Sequence, residues 1–202
     1  MKQSDEWNTL REKVEACHLC PLRWGCSRVV FGEGAENGGL MVIGEGPGQE
    51  EDAQGRPFVG RAGRLLDMIL ASGGFSREEN TYIANIVKCR PPQNRVPLPL
   101  ERETCMPYLD EQIRLVAPKV IILLGATALQ GLVDPKAKIG TARGNWISWK
   151  GIWLMPTYHP AALLRNPRLK KVVWEDLKLV IDQYRALVDV RHISPYYPGT
   201  QG

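Results

Sequence analysis

Residues 40–63 read L-M-V-I-G-E-G-P-G-Q-E-E-D-A-Q-G-R-P-F-V-G-R-A-G. The run Leu40-Met41-Val42-Ile43 is apolar without alternation, the pattern of a strand buried on both faces of a parallel sheet. It turns on Gly44, Gly46, Pro47 and Gly48, and glycines at the carboxyl end of a strand let the backbone approach a ligand closely. Glu45, Glu50, Glu51 and Asp52 follow, then one aromatic, Phe58, between Pro57 and a second glycine pair, Gly60 and Gly63. Close backbone, carboxylates and one aromatic face describe a pocket for a flat polar ring. The competing reading is a plain surface loop between a strand and a helix. The stretch matches neither G-x-x-x-x-G-K-[ST] nor G-x-G-x-x-G, and its carboxylates repel a pyrophosphate. It therefore addresses a base or a water rather than a phosphate chain.

Working outward, strands are expected over 40–45, 81–87, 120–124 and 152–157. Helices are expected over 5–16, 62–71, 100–116 and 172–188, with a short one after Gly125 and a proline-rich loop over 91–99. Strands alternating with helices imply a parallel sheet covered on both faces, a three-layer α/β/α sandwich in one domain spanning 1–188. Residues 189–202 read as a tail, docked or frayed. In such sheets ligands bind at the carboxyl ends of the strands. The 44–48 loop, Asn85 and His159 all fall there.

With 202 residues the chain is long enough for one sizeable core. Its net charge of +4 permits a nucleic-acid partner without requiring one. No apolar run approaches the roughly 20 residues that span a bilayer, and the polar start Met1-Lys2-Gln3-Ser4-Asp5-Glu6 is no signal peptide. The expectation is a cytoplasmic monomer, away from membranes, with reduced thiols.

Five cysteines are present: Cys17, Cys20, Cys26, Cys89 and Cys105. Cys17-x-x-Cys20 is a two-ligand metal clip, a weak signal alone that Cys89 and Cys105, at loop and helix positions, strengthen. Buried structural thiols are the alternative. Spacing leaves zinc and an iron–sulfur cluster both open, since each accepts four thiolates. It also leaves open Cys26 in place of Cys20.

After the fourth strand comes Tyr158-His159-Pro160-Ala161-Ala162-Leu163-Leu164-Arg165. Read alone, His159 is a capping or packing residue, and the cations Arg165, Arg168, Lys170 and Lys171 are a solvated helix start. An apolar wedge beside cations is also what pushes a base from a duplex and holds the phosphates.

Taken together the motifs resemble the family-four uracil-DNA glycosylases, the iron–sulfur type. The matching segments are G-E-G-P-G at 44–48, G-R-P-F-V-G-R-A-G at 55–63, N-I-V-K-C-R-P-P at 85–92 and H-P-A-A-L-L-R at 159–165, with the four-cysteine spacing. Five signals in order across nearly the whole chain are highly specific. The resemblance implies a four-stranded parallel sheet and a 4Fe–4S cluster on Cys17, Cys20, Cys89 and Cys105. It implies a monofunctional glycosylase of base excision repair, which excises uracil from single- or double-stranded DNA and leaves an abasic site. Phe58 would stack on the flipped base, Asn85 would read its edge, and His159 would donate to O2. Glu45 would orient the attacking water, and Gly46 and Glu51 would line the uracil site, Glu51 near C5. Pro47, Gly48, Arg61 and Arg165 would meet DNA, with Leu163 as the wedge and Leu164 second to it. Related families carry an aspartate where this chain has Gly46, and many relatives a serine where it has Ala161. A sliding clamp on the tail around Tyr196-Tyr197 has no support beyond those two tyrosines.

Overall fold

The structure is a computed structural model that describes residues 2–198. Its centre is a six-stranded sheet in the order β1-β3-β2-β4-β6-β5. The four inner strands are β2 (Leu40–Gly44), β3 (Thr81–Asn85), β4 (Val120–Leu124) and β6 (Ile152–Thr157). They run parallel and in register, with Leu40 opposite Thr81 and Val120, and Val120 opposite Trp153. These are the four strands expected from the apolar runs. The sheet is nevertheless six-stranded and mixed, because two short strands pair antiparallel on its edges. They are β1 (Glu33–Gly34) and β5 (Ile147–Trp149). Neither carries a recognisable pattern: β1 has two residues, and β5 alternates intermediate and exposed positions.

Successive residues of a strand point to opposite faces, and here each face has its own helices. Met41 and Ile43 face α1 (Lys2–Glu15), α5 (Pro99–Val116) and α6 (Gly125–Leu132) in one core. Leu40 and Val42 face α4 (Arg61–Ser72) and α9 (Leu169–Leu187) in the other. Three layers result, as expected. The remaining helices are short: α2 (Leu22–Gly25), α3 (Gln49–Gln54), α7 (Ile139–Ala142) and α8 (Pro160–Arg165). Among the described residues no helix is long and apolar enough to cross a membrane.

The chain passes from β2 outward to β3, then crosses back to β4 on the other side of β2. The strand order therefore reverses at β2, and the crevice at a reversal point is where open α/β sheets bind ligands. After α9 the chain folds back. His192 stacks on Phe75 at 4.4 Å, its Nε2 lies 2.8 Å from Gly73 O, and Ser194 donates to Ser72 O. The end of the tail, from residue 199, lies outside the described residues, whereas Tyr197 is held to Asp182 at 2.9 Å.

Candidate active site

Four loops at the carboxyl edge of the sheet bring the site together. Parallel pairing continues past β2: Ile86 N donates to Gly44 O at 3.0 Å and Val87 N to Glu45 O at 3.2 Å. This places Asn85 beside Gly44. A β-carbon on Gly44 would fall 2.5 Å from Asn85 Oδ1 and 2.5 Å from Phe58 Cζ. Glycine is thus required at 44 for the amide and the ring to converge. Asn85 is 2% exposed, and its Oδ1 is buried without a hydrogen-bond partner. A buried acceptor left unpaired costs about 1–3 kcal/mol, so the geometry holds an acceptor ready for a donor from outside the chain.

Phe58 is buried, with its ring centroid 5.6 Å from the His159 imidazole and tilted by 32°. Its φ is 52°, in the left-handed region. For a bulky residue that costs on the order of 1–3 kcal/mol and persists only where surroundings enforce it. His159 caps α8, and its Nδ1 accepts from Ala161 N at 3.1 Å. The ring proton must then sit on Nε2, which is left as a donor. Burial first, and then the charge of Arg165, push its pKa down to about 4, so the imidazole is neutral at physiological pH. Gly125 makes room for it, since a β-carbon there would lie 3.2 Å from His159 Cβ.

Glu45 is partly buried just beyond β2, and its carboxylate accepts from the hydroxyl of Thr127 in the first turn of α6. Sequence reading missed Thr127; its place directly after the third apolar strand was the available signal. Gly46 packs against Val87, where a β-carbon would meet Cγ2 at 2.7 Å. An aspartate cannot be housed there without moving Val87.

Glu51, expected beside the C5 edge of the base, stands near enough to His159 for its charge to act on the ring. Its Oε1 accepts from Val59 N at 2.9 Å and Gly60 N at 2.8 Å, and its Oε2 from Gly48 N at 3.1 Å. It is an internal brace that ties the two glycine segments together. Leu163 was the first choice as wedge, but it is fully buried against Leu65 and Val173. In a helix, residues three apart share a face, so Leu163 follows the buried Pro160 inward while Leu164, 40% exposed, points out. Arg165 and Arg61 are exposed, Pro47 is buried and Gly48 caps α3.

Cys17, Cys20, Cys89 and Cys105 line one small cavity with Lys88 and Tyr108; Cys26 is outside that lining but adjacent to Cys89. No disulfide joins the five thiols. Among the described residues no three His, Cys, Asp or Glu side chains are already gathered tightly enough to hold a single metal ion. The donor set still fits a multi-iron group. Backbone N–H groups of Leu22 and Arg23 point at the Cys20 sulfur, and that of Lys88 at Cys105. Burial pushes the Cys20 and Cys105 thiols up, and these donors act against it. The Lys88 ammonium, 2% exposed, adds positive charge beside Cys105 while donating to Asn85 O at 2.9 Å and Gln112 Oε1 at 2.6 Å.

Fold and site together define an α/β protein in which a buried aromatic ring, a buried amide and a neutral imidazole come together at the carboxyl edge of its parallel strands. The chain belongs to the uracil DNA glycosylase superfamily, whose family model matches residues 31–178. It is 48% identical to the type-4 uracil-DNA glycosylase of Thermotoga maritima over 171 residues, 83% of this chain and 88% of that protein. It is 43% identical to the type-4 uracil-DNA glycosylase of Pyrobaculum aerophilum, covering 84% of this chain and 90% of that protein. With the type-4 uracil-DNA glycosylase of Sulfurisphaera tokodaii it shares 39% identity over 96% of this chain and 91% of that protein.

Proposed function

We propose that this chain is a monofunctional uracil-DNA glycosylase that hydrolyses the N-glycosidic bond of deoxyuridine in single- or double-stranded DNA, acts as a monomer and leaves an abasic site. The observation that carries this reading is the unpartnered Oδ1 of Asn85, buried beside Phe58. Uracil offers an N3–H donor to that oxygen and an O4 acceptor to the amide NH₂. Cytosine presents the opposite pair, so an amide held in this orientation rejects it.

The base must leave the stack before the bond can break. Phe58 supplies the stacking face. As the bond breaks, negative charge grows on the uracil, and the Nε2–H of His159 donates to O2, where that charge collects. A neutral donor already in place needs no reorganisation during the reaction. Glu45, oriented by Thr127, holds the water that attacks the sugar as it becomes oxocarbenium-like. Lys88 cannot serve as an amine nucleophile, because it is buried and committed to Asn85 O and Gln112. The product is therefore an abasic site without strand cleavage. Leu164 fills the gap left in the duplex, and Arg165 and Arg61 meet flanking phosphates.

Cys17, Cys20, Cys89 and Cys105 would hold a 4Fe–4S cluster. When bound it supplies covalent ties between the segment after α1, the loop after β3 and α5. Replacing Cys105 by Ser is expected to lower bound iron and Tm together. One lost tether at about 2–5 kcal/mol, with roughly 2–4 °C per kcal/mol in a chain of this size, corresponds to about 4–20 °C. An unchanged iron content and melting curve would remove Cys105 from the ligand set.

The test of function is release of uracil from an end-labelled oligonucleotide carrying one deoxyuridine, with thymine and cytosine controls and an alkali step. Alkali-dependent cleavage at uracil alone is expected. Glu45→Gln is expected to lower the single-turnover rate by roughly 10²–10⁴-fold. Protein that binds the oligonucleotide and releases no base would sink the catalytic reading.

A further inference from the structure

Arg77 lies in the turn before β3, outside every segment that resembles a glycosylase motif, yet its side chain is only 9% exposed. Its guanidinium donates from Nη1 to Pro57 O at 2.6 Å and from Nη2 to Phe58 O at 2.5 Å. The Nε donates to Asp67 in α4 at 2.8 Å, and Glu33 of β1 stands 3.6 Å from Nη1. The fork thus grips two successive carbonyl oxygens, one of them on the residue with the left-handed backbone, and two acids hold the fork in place.

The other side of the same carbonyl is closed by α4. A β-carbon on Gly63 would lie 1.9 Å from Phe58 O and 2.0 Å from its carbonyl carbon. The Phe58 carbonyl is therefore held between a helix start and a guanidinium, and holding it sets the direction in which the ring leaves the backbone. A surface cavity of about 540 Å³ borders this arrangement, lined by Phe58, Asp67, Phe75 and Arg77, and includes none of Glu45, Asn85 and His159. Arg77 therefore reaches Phe58 from a side away from those three groups.

We infer that Arg77 is a positioning residue for the base-stacking ring: it enforces the left-handed backbone of Phe58 and so the orientation of the face on which the flipped base rests. This rests on the reading of Phe58 given above. Lysine cannot reproduce the effect, because a point ammonium lacks the planar fork that addresses two acceptors at once.

A double-mutant cycle on the full chain tests this, read as single-turnover kcat/KM on a deoxyuridine oligonucleotide with Tm measured alongside. A base–aromatic stack is worth about 1–3 kcal/mol, so Phe58→Ala is expected to lose roughly 10–100-fold in kcat/KM. Arg77→Gln is expected to lose a comparable factor, and the double variant no more than the larger single loss, because the ring that Arg77 orients is gone. Losses that multiply in the double variant would overturn the inference and leave Arg77 a general structural ion pair. So would Arg77→Gln with a lowered Tm and unchanged kcat/KM. If Arg77→Gln does not fold, Arg77→Lys is read in the same cycle, with an intermediate loss expected in the Phe58 background and none beyond Phe58→Ala in the other. An Arg77→Lys loss that persists without the ring overturns the inference equally. Failure of the functional reading is distinguishable, since it shows in the unaltered chain as no uracil release.

Discussion

Asn85→Ala is expected to lower kcat/KM for uracil release by roughly 10⁴-fold, the scale on which a site built around a buried hydrogen-bonding pair loses its partner. The comparison with Phe58 decides which interaction dominates. Losing an apolar or stacking face costs about 10–200-fold, since no polar group is stranded. Removing the amide strands N3–H and O4 of the substrate in a site where water is excluded, and each stranded group costs about 1–3 kcal/mol. Asn85→Asp separates chemistry from volume. It keeps the shape but exchanges the NH₂ donor for a second acceptor facing O4, so it is expected to be at least as damaging on uracil. Single-turnover rates on uracil and cytosine substrates check both. A loss below about tenfold for Asn85→Ala would show that the edge is read elsewhere.

His159→Ala is expected to lower kcat by roughly 10²–10³-fold, the cost of removing one preorganised donor to developing charge. Its pH behaviour follows from the direction of the shift. The folded chain holds the imidazole neutral, with its pKa pushed from 6.5 to about 4 by burial and by Arg165. The unfolded chain therefore binds the extra proton first as pH falls. The stability contributed by the neutral ring is present in full above pH 6.5, declines below it, and is lost as pH falls through about 4. Protonation would also place an N–H on Nδ1, facing the N–H of Ala161. A rate profile with no step at 6.5 from this group is expected, with its acid limb only near pH 4. A limb centred at 6.5 in the unaltered chain and missing in His159→Gln would show that a protonated ring does the work.

Much of the scaffold was legible because it is encoded locally. Leu40–Ile43 and Val120–Leu124 can hardly be anything other than strands buried on both faces. The apolar face of Leu65, Leu66 and Leu70 similarly makes α4 a sheet-covering helix. The edge strands were not legible, because two or three residues of mixed burial have no period to detect. Helix α3 was hidden inside a stretch dominated by glycines and acids, where its six residues hold no apolar stripe.

At the site the division is by range. Residue types and order alone placed a glycine loop, Asn85 and His159 at the carboxyl ends of strands, since each follows or ends an apolar run, whereas Phe58 was read into the pocket only as the aromatic of the loop after the first strand. Which way side chains turn was decided only by tertiary structure. Leu163 and Leu164 are equivalent as letters, and helical phase against Leu65 and Val173 buries one and exposes the other. Glu51 became a brace because Gly48, Val59 and Gly60 turn three N–H groups onto it. Thr127 reaches Glu45 across 82 residues and Arg77 reaches Phe58 across 19. Hydrogen bonds of that separation form only after the sheet has brought the loops together, and no local periodicity records them.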